Sequence, residues 1–175
     1  HNDMDSLATL LKKHRADHRH CLILTESIFS MDGDKANIKE IKSLCDRFNA
    51  WLLVDHAHGL GVMETPSEPD ILVGTLSKSA GAYGGYVAGS NTLMEYLKTA
   101  TRSMMFSTAL PPTVIAGAAK AIKVMSEETW RSENALANAR YFSSLMKLPK
   151  PESTIVPIIL GSEQLALAAA AYLEE

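Results

Sequence analysis

Short continuous apolar runs alternate with amphipathic stretches through the first half of the chain, and helical periodicity dominates the second half. The spacing of Leu7, Leu10 and Leu11 predicts a helix from about Asp5 to His14. It leads into Cys21-Leu22-Ile23-Leu24-Thr25, an apolar run read as a strand. After the polar loop Ser30-Met31-Asp32-Gly33-Asp34, a helix from about Ile38 to Phe48 places Ile38, Ile41, Leu44 and Cys45 inward. Trp51-Leu52-Leu53-Val54-Asp55 is a strand that ends in a carboxylate, and Ile71–Thr75 and Gly85–Gly89 are two more short strands. Continuous apolar runs suit strands covered on both faces, so the expected fold class is α/β, a mostly parallel sheet flanked by helices.

The pattern changes after Ser90. A helix from about Thr92 to Thr101 precedes Phe106-Ser107-Thr108-Ala109-Leu110-Pro111-Pro112, whose tandem prolines favour a helix start. Helical patterns follow over Thr113 to Met125 and about Glu127 to Leu148, and Pro149 and Pro151 break the second. The run Ser153-Thr154-Ile155-Val156-Pro157-Ile158-Ile159-Leu160 is expected to form a new strand, and Ser162 to Glu175 a helix. This organisation assigns residues 1–150 to part of a large domain and residues 151–175 to the beginning of a small C-terminal α+β domain. The chain opens on His1 rather than Met, which is expected of a fragment or a processed product.

Composition narrows the function classes. With 175 residues, 46% hydrophobic and 21% charged, the chain can bury a core and is not of disordered type. A net charge of −3 supplies no basic field for nucleic acid or acidic lipid. No apolar stretch is long enough to span a bilayer and no leader pattern is visible, so a cytoplasmic location is expected. Cys21 and Cys45 fall in predicted strand and helix, where reduced buried thiols are expected rather than a disulfide or a metal site.

The chemistry concentrates at strand ends. Ligands of open α/β sheets sit at the carboxyl ends of strands, and Asp55, His58, Thr75 and Lys78 all lie at or just beyond such ends. A lysine among small residues, in Gly74-Thr75-Leu76-Ser77-Lys78-Ser79-Ala80-Gly81, with an acid at the end of another apolar run, suits a carbonyl cofactor held as a Schiff base, namely pyridoxal 5'-phosphate (PLP). Lys78 would supply the amine and Asp55 the acid that keeps the ring nitrogen protonated. Taken singly, Lys78 is the sort of residue found solvated on loops, and Asp55 the sort found capping a strand end. Their combination is what points to the cofactor.

The stretch from Thr25 to Pro112 resembles the α-oxoamine synthase family of fold type I PLP enzymes. The matching segments are Thr25-Glu26-Ser27-Ile28-Phe29-Ser30-Met31-Asp32-Gly33-Asp34, Val54-Asp55-His56-Ala57-His58-Gly59-Leu60-Gly61, Gly74-Thr75-Leu76-Ser77-Lys78 and Ser107-Thr108-Ala109-Leu110-Pro111-Pro112. His1-Asn2-Asp3 is similar to a family motif ahead of the first helix, which extends the resemblance over essentially the whole chain. By that resemblance Lys78 forms the Schiff base, Asp55 pairs with the pyridine nitrogen, and His58 with Ser30 binds the ring oxygen. Thr75 binds the phosphate, and Thr108 with Ser107 contributes to the phosphate site of a neighbouring subunit, which implies a homodimer. Outside the resemblance, His58 is an ordinary core or surface imidazole, and Ser30 and Thr75 are turn caps.

The resemblance implies a decarboxylative condensation of an amino acid with an acyl thioester, carried on coenzyme A or acyl carrier protein, to give an aminoketone. Ala57-His58-Gly59, Ser77 and Tyr86-Val87-Ala88-Gly89-Ser90 look most like members that join L-alanine to a pimeloyl thioester in biotin synthesis. They look less like glycine C-acetyltransferase, 5-aminolevulinate synthase or serine palmitoyltransferase. His56 stands where the family commonly has an acidic residue, without removing a cofactor contact. The family's glycine-containing phosphate turn, its ring-stacking residue and its carboxylate-binding arginine have no match in this sequence, so the chain alone is expected to be inactive.

Other signals receive plainer readings. His14, His18 and His20 lie with Lys12, Lys13, Arg15 and Arg19 near a helix C-terminus, where cations offset the dipole, and they lack a zinc site's ligand set. Asp32-Gly33-Asp34 is too short for a calcium loop, and Gly81 to Gly85 lacks dinucleotide-binding spacing, so no metal is expected. Two rival functions remain at this point: a non-catalytic binding module of the same fold, and an aminotransferase or lyase.

Overall fold

The computed structural model describes residues 1–174. The first helix, α1, spans Met4–His14 and is capped by Asp3, whose carboxylate accepts the Ser6 N–H at 2.8 Å. Lys12, Lys13 and His14 close it where positive charge complements the helix dipole. Strand β1 (Leu22–Glu26), helix α2 (Ile38–Arg47) and strands β2 (Trp51–Asp55), β3 (Ile71–Thr75) and β4 (Gly85–Gly89) follow. Then come α3 (Asn91–Ala100), α4 (Arg102–Met105), α5 (Pro112–Glu127), α6 (Trp130–Leu145) and α7 (Glu163–Glu174). No helix among the described residues is long and apolar enough to cross a membrane.

The strands form one sheet in the order β1-β2-β3-β4, parallel from β1 to β3 and antiparallel between β3 and β4. The connection from β3 to β4 is short enough to return the chain directly, and it is this return that carries Lys78. Register aligns Glu26 with Asp55, and Asp55 with Val73. Because side chains alternate along a strand, Asp55 shares a sheet face with Trp51 and Leu53, and across the register with Val73 and Thr75.

The opposite face is the core. Leu52, Val54 and Leu72 pack against Ile38, Ile41 and Cys45 of α2, with Met4, Leu7, Ile23 and Tyr86 around the margin. Asp70 ties this layer to the strand entry: its Oδ2 accepts the Leu52 N–H at 2.8 Å, and Lys42 of α2 donates to Oδ1 at 3.1 Å. On the face that carries Asp55 the apolar side chains are open. Leu24 is 67% exposed and Trp51 and Val87 49% each. The sheet thus has one packed face and one apolar face bordered by polar strand ends.

The strand expected over Ser153–Leu160 does not form. That stretch is irregular, and no described strand pairs with it. A strand needs a neighbour for its backbone ladder, and Pro157 removes one donor from this run; instead Ser153 bonds to the Gly33 carbonyl. The four-residue α4 was not anticipated, and α6 stops at Leu145, ahead of the prolines expected to break it. Lys147, with φ 55°, reverses the chain there.

Candidate functional site

Three loops leave the carboxyl ends of β1, β2 and β3 side by side, and five of the predicted site residues, Ser30, Asp55, His58, Thr75 and Lys78, lie on them or at the strand ends they leave. Asp55 is the last residue of β2 and is half-buried. Its Oδ1 accepts the Ala57 N–H at 2.8 Å, which turns the chain immediately after the strand. Its Oδ2 makes no hydrogen bond among the described residues. The turn continues through Gly59 and Leu60, whose N–H groups both donate to the His56 carbonyl at 3.0 Å. This brings His58 toward the end of β3.

Lys78 meets it there. The Lys78 Nζ lies 2.6 Å from His58 Nε2, so two polar side chains from neighbouring parallel strand ends converge although 20 residues separate them. Thr75, three residues earlier, donates its hydroxyl to the Gly84 carbonyl at 3.2 Å, accepts the Ser77 N–H at 3.2 Å, and lies 2.7 Å from the Ser77 hydroxyl. The loop is further held by Leu76 N–H to the Gly84 carbonyl at 2.9 Å and by the Ser79 hydroxyl to the Leu60 carbonyl at 2.6 Å. The last of these ties the Lys78 loop to the His58 turn.

Glycine is required where the backbones crowd. A Cβ on Gly59 would lie 2.2 Å from the His56 ring, and one on Gly74 would lie 2.6 Å from the Tyr86 hydroxyl oxygen. Tyr86 therefore lies across Gly74 and leaves no room for a side chain just before Thr75. Tyr86 titrates above its ordinary value, because burial and then the Asp55 charge disfavour the phenolate.

The remaining predicted residues divide. Ser30 lies on the loop after β1, exposed, with its N–H donated to the Glu26 carboxylate at 3.0 Å. Its loop leaves β1 at Glu26, the residue that pairs with Asp55 in the sheet register. Ser107 and Thr108 lie exposed between α4 and α5, and neither bonds to the Lys78 cluster among the described residues. Ser107 donates instead to the Ser103 carbonyl in its own turn.

Sequence reasoning missed a buried layer behind the site. His56 and Ser27 are both fully buried, with Ser27 Oγ 2.9 Å from His56 Nδ1. The Ser27 N–H donates to the Asp55 carbonyl at 2.8 Å and the His56 N–H to the Val73 carbonyl at 2.7 Å. Burial lowers the His56 pKa, opposed by the nearby Asp55 charge. A histidine between two strand-end polar residues carries no periodic signal of its own. Only its place in the strand-to-turn sequence could have marked it.

This donor set fits the cofactor expected from the sequence. Among the described residues the Lys78 amine meets one side chain, the His58 imidazole, one Asp55 carboxylate oxygen has no partner, and the Thr75 and Ser77 hydroxyls cluster where the loop leaves β3. An aldehyde, a basic ring nitrogen and a phosphate are the groups these residue types bind.

The comparisons with known proteins agree with that geometry. Residues 1–175 match the family model described as aminotransferase class I and II. An 8-amino-7-oxononanoate synthase of Methylorubrum extorquens is 44% identical over 174 residues, which cover 99% of this chain and 45% of that protein. The synthase of the same name from Maricaulis maris is 41% identical over 185 residues, covering 100% of this chain and 47% of that protein. Among solved structures, a serine palmitoyltransferase variant from S. paucimobilis with a bound PLP–myriocin aldimine superposes with a TM-score of 0.78 at 29% identity, over 84% of this chain and 39% of that one. Serine palmitoyltransferase from Sphingomonas wittichii gives 0.76 at 29% identity, over 84% and 39%. The chain spans about half the length of the curated relatives it matches. Matched over its whole length, and with the α/β fold of a fold type I PLP transferase, the chain belongs to the aminotransferase class I and II family.

Proposed function

We propose that this chain carries the cofactor-anchoring part of a PLP-dependent acyltransferase, one that condenses L-alanine with a pimeloyl thioester of coenzyme A or acyl carrier protein to give 8-amino-7-oxononanoate. The observation that carries the reading is the 2.6 Å approach of Lys78 to His58 beyond the ends of β3 and β2, where β2 closes on Asp55, whose Oδ2 has no hydrogen-bond partner among the described residues. The synthases at 41–44% identity support the choice of substrates. When bound, PLP supplies an electron sink for the carbanion left when the amino acid loses its α-proton.

The chain's own residues provide the rest. Lys78 Nζ would hold the cofactor, and its amine would be the base that takes the α-proton. Asp55 would pair with the ring nitrogen and favour its protonated form, because a nearby carboxylate in a partly buried setting favours an adjacent cation. His58, held against Lys78, and Ser30 bind the ring oxygen. Thr75 binds the phosphate, and Thr108 with Ser107 serves the phosphate site of a second copy, which makes the working form a homodimer in the cytoplasm. The carbon–carbon bond would form between the amino acid's α-carbon and the thioester carbonyl carbon with loss of the thiol; loss of carbon dioxide would then leave an electron pair on that α-carbon, and a proton returned to it would complete the aminoketone.

Borohydride reduction after incubation with PLP, followed by peptide mass mapping, tests the anchor. Selective labelling of Lys78 that disappears in Lys78→Ala is expected, and equal labelling of several lysines in both proteins overturns the reading. The reaction is tested by supplying L-alanine and a pimeloyl thioester. In the full-length protein that contains this chain, release of thiol and carbon dioxide is expected, whereas amino transfer to a keto acid without carbon dioxide identifies an aminotransferase instead; the 175-residue chain alone is expected to give neither.

A further inference from the structure

Ser153 is only 1% exposed, yet it lies in an irregular stretch and its main partner is 120 residues away in the chain. Its hydroxyl donates to the Gly33 carbonyl at 2.7 Å and accepts the Ile155 N–H at 3.2 Å, so both hydrogen-bonding capacities are used. Gly33 closes the loop that carries Ser30. Its N–H donates to the Phe29 carbonyl at 2.8 Å, the Phe29 N–H donates to the Asp34 carbonyl at 3.0 Å, and φ is +74°. A Cβ at Gly33 would come within 2.7 Å of the Ile155 carbonyl oxygen, so the two backbones touch. Two residues beyond Gly33, the Lys35 N–H donates to Glu152 at 3.2 Å.

The tip of this loop has no comparable support. Ser30, Met31 and Asp32 are exposed, whereas Gly33 is buried beneath Ser153 and Ile155. The loop is pinned at Glu26 on the strand side and at Gly33 on the return, and from outside by His1, 3.0 Å from Asp34, and by Asn2, which donates to the Lys35 carbonyl at 2.9 Å; of these, the Gly33 pin is the buried one. We propose that Ser153 is a positioning residue for Ser30, fixing the loop through the Gly33 carbonyl so that the Ser30 hydroxyl reaches the cofactor's ring oxygen. The inference rests on the cofactor reading given above, and it assigns to the segment Glu152–Ile155 a part in the site that its sequence position does not suggest.

The test is a double-variant cycle on PLP affinity, read from the absorbance of the bound cofactor in the purified protein. Ser153→Ala and Ser30→Ala are each expected to weaken binding roughly ten-fold, the scale of one lost buried hydrogen bond. The double variant is expected to bind no more weakly than Ser30→Ala, because Ser153 acts through Ser30. Losses that multiply to roughly a hundred-fold overturn the proposal, as does unchanged affinity in Ser153→Ala. Should Ser153→Ala fail to fold, Glu152→Ala reads the same coupling from an exposed side chain. A roughly two- to three-fold loss that vanishes in the Ser30→Ala background is expected, and an equal loss in both backgrounds overturns the inference. Wild-type protein that binds no PLP overturns the cofactor reading itself, and this inference with it, whereas independent losses in a protein that binds PLP overturn this inference alone.

Discussion

Lys78 and His58 extend from the ends of adjacent parallel strands and meet at 2.6 Å, with the Ser79–Leu60 hydrogen bond holding their two loops together. The contact places an amine where it can be exchanged between imidazole and a bound carbonyl. Lys78→Arg preserves the positive charge and a donor for His58 but cannot form an imine. Complete loss of borohydride-trapped label in that variant, with an unchanged melting temperature, is expected because the side chain is exposed. His58→Asn is expected to retain label at Lys78 and lose affinity for PLP. Label that persists in Lys78→Arg would place the anchor on another lysine.

Gly74 lies under the Tyr86 ring, and that contact sets the height of Thr75 in the next position. Gly74→Ala forces the ring or the strand to move, a cost of about 1–3 kcal/mol for overpacking. Urea unfolding of Gly74→Ala, Tyr86→Ala and the double variant checks it. The double variant is expected to lose less than the sum of the single losses, since removing the ring removes the clash. Additive losses would show that the alanine methyl is accommodated without touching Tyr86.

Much of this arrangement was legible in the residues. The runs ending at Asp55 and Thr75 matched β2 and β3 residue for residue, because continuous apolar stretches bounded by polar turns leave little choice of boundary. Helix α5 begins at Pro112, as tandem prolines favour. The failure at Ser153–Leu160 is equally physical: an apolar run shows that a segment is buried or paired somewhere, not that a partner strand exists beside it. The Lys78–His58 contact was readable from strand-end placement, whereas the Ser27–His56 pair and the Ser153–Gly33 bond were not. Both depend on long-range contacts between residues whose types are ordinary in turns.

Cys45 is fully buried between α2 and the sheet, and burial pushes its thiol up to about 11. The thiolate is the reactive form, so a disulfide-exchange reagent at neutral pH is expected to modify the half-buried Cys21 in the native protein and spare Cys45. Titration in urea should then recover the second thiol. The pH sign follows from the raised native value: protection by the neutral buried thiol is complete below cysteine's ordinary 9.0, and is lost as pH rises toward 11. Modification of both thiols at equal rates under native conditions would contradict the burial.

His56 gives the opposite pH dependence. The ring is fully buried, its Nδ1 faces the Ser27 hydroxyl, and its Nε2 has no hydrogen-bond partner among the described residues. Burial, only partly offset by Asp55, favours the neutral imidazole in the folded protein and lowers its pKa below the ordinary 6.5. The unfolded chain therefore binds the additional proton first as pH falls. Stability associated with neutral His56 is complete above 6.5, and is lost as pH drops through that value toward the lowered native one. Unfolding free energies of wild type and His56→Gln at about pH 7.5 and 5.5, either side of an unperturbed histidine, isolate the effect. The variant is expected to be less stable at the higher pH, because it disturbs the packing against Gly59, but to lose less stability between the two. Equal losses would mean that His56 does not titrate in this window. In that case the acid sensitivity of the fold would have to come from the carboxylates, and the ring behind Asp55 would serve packing alone.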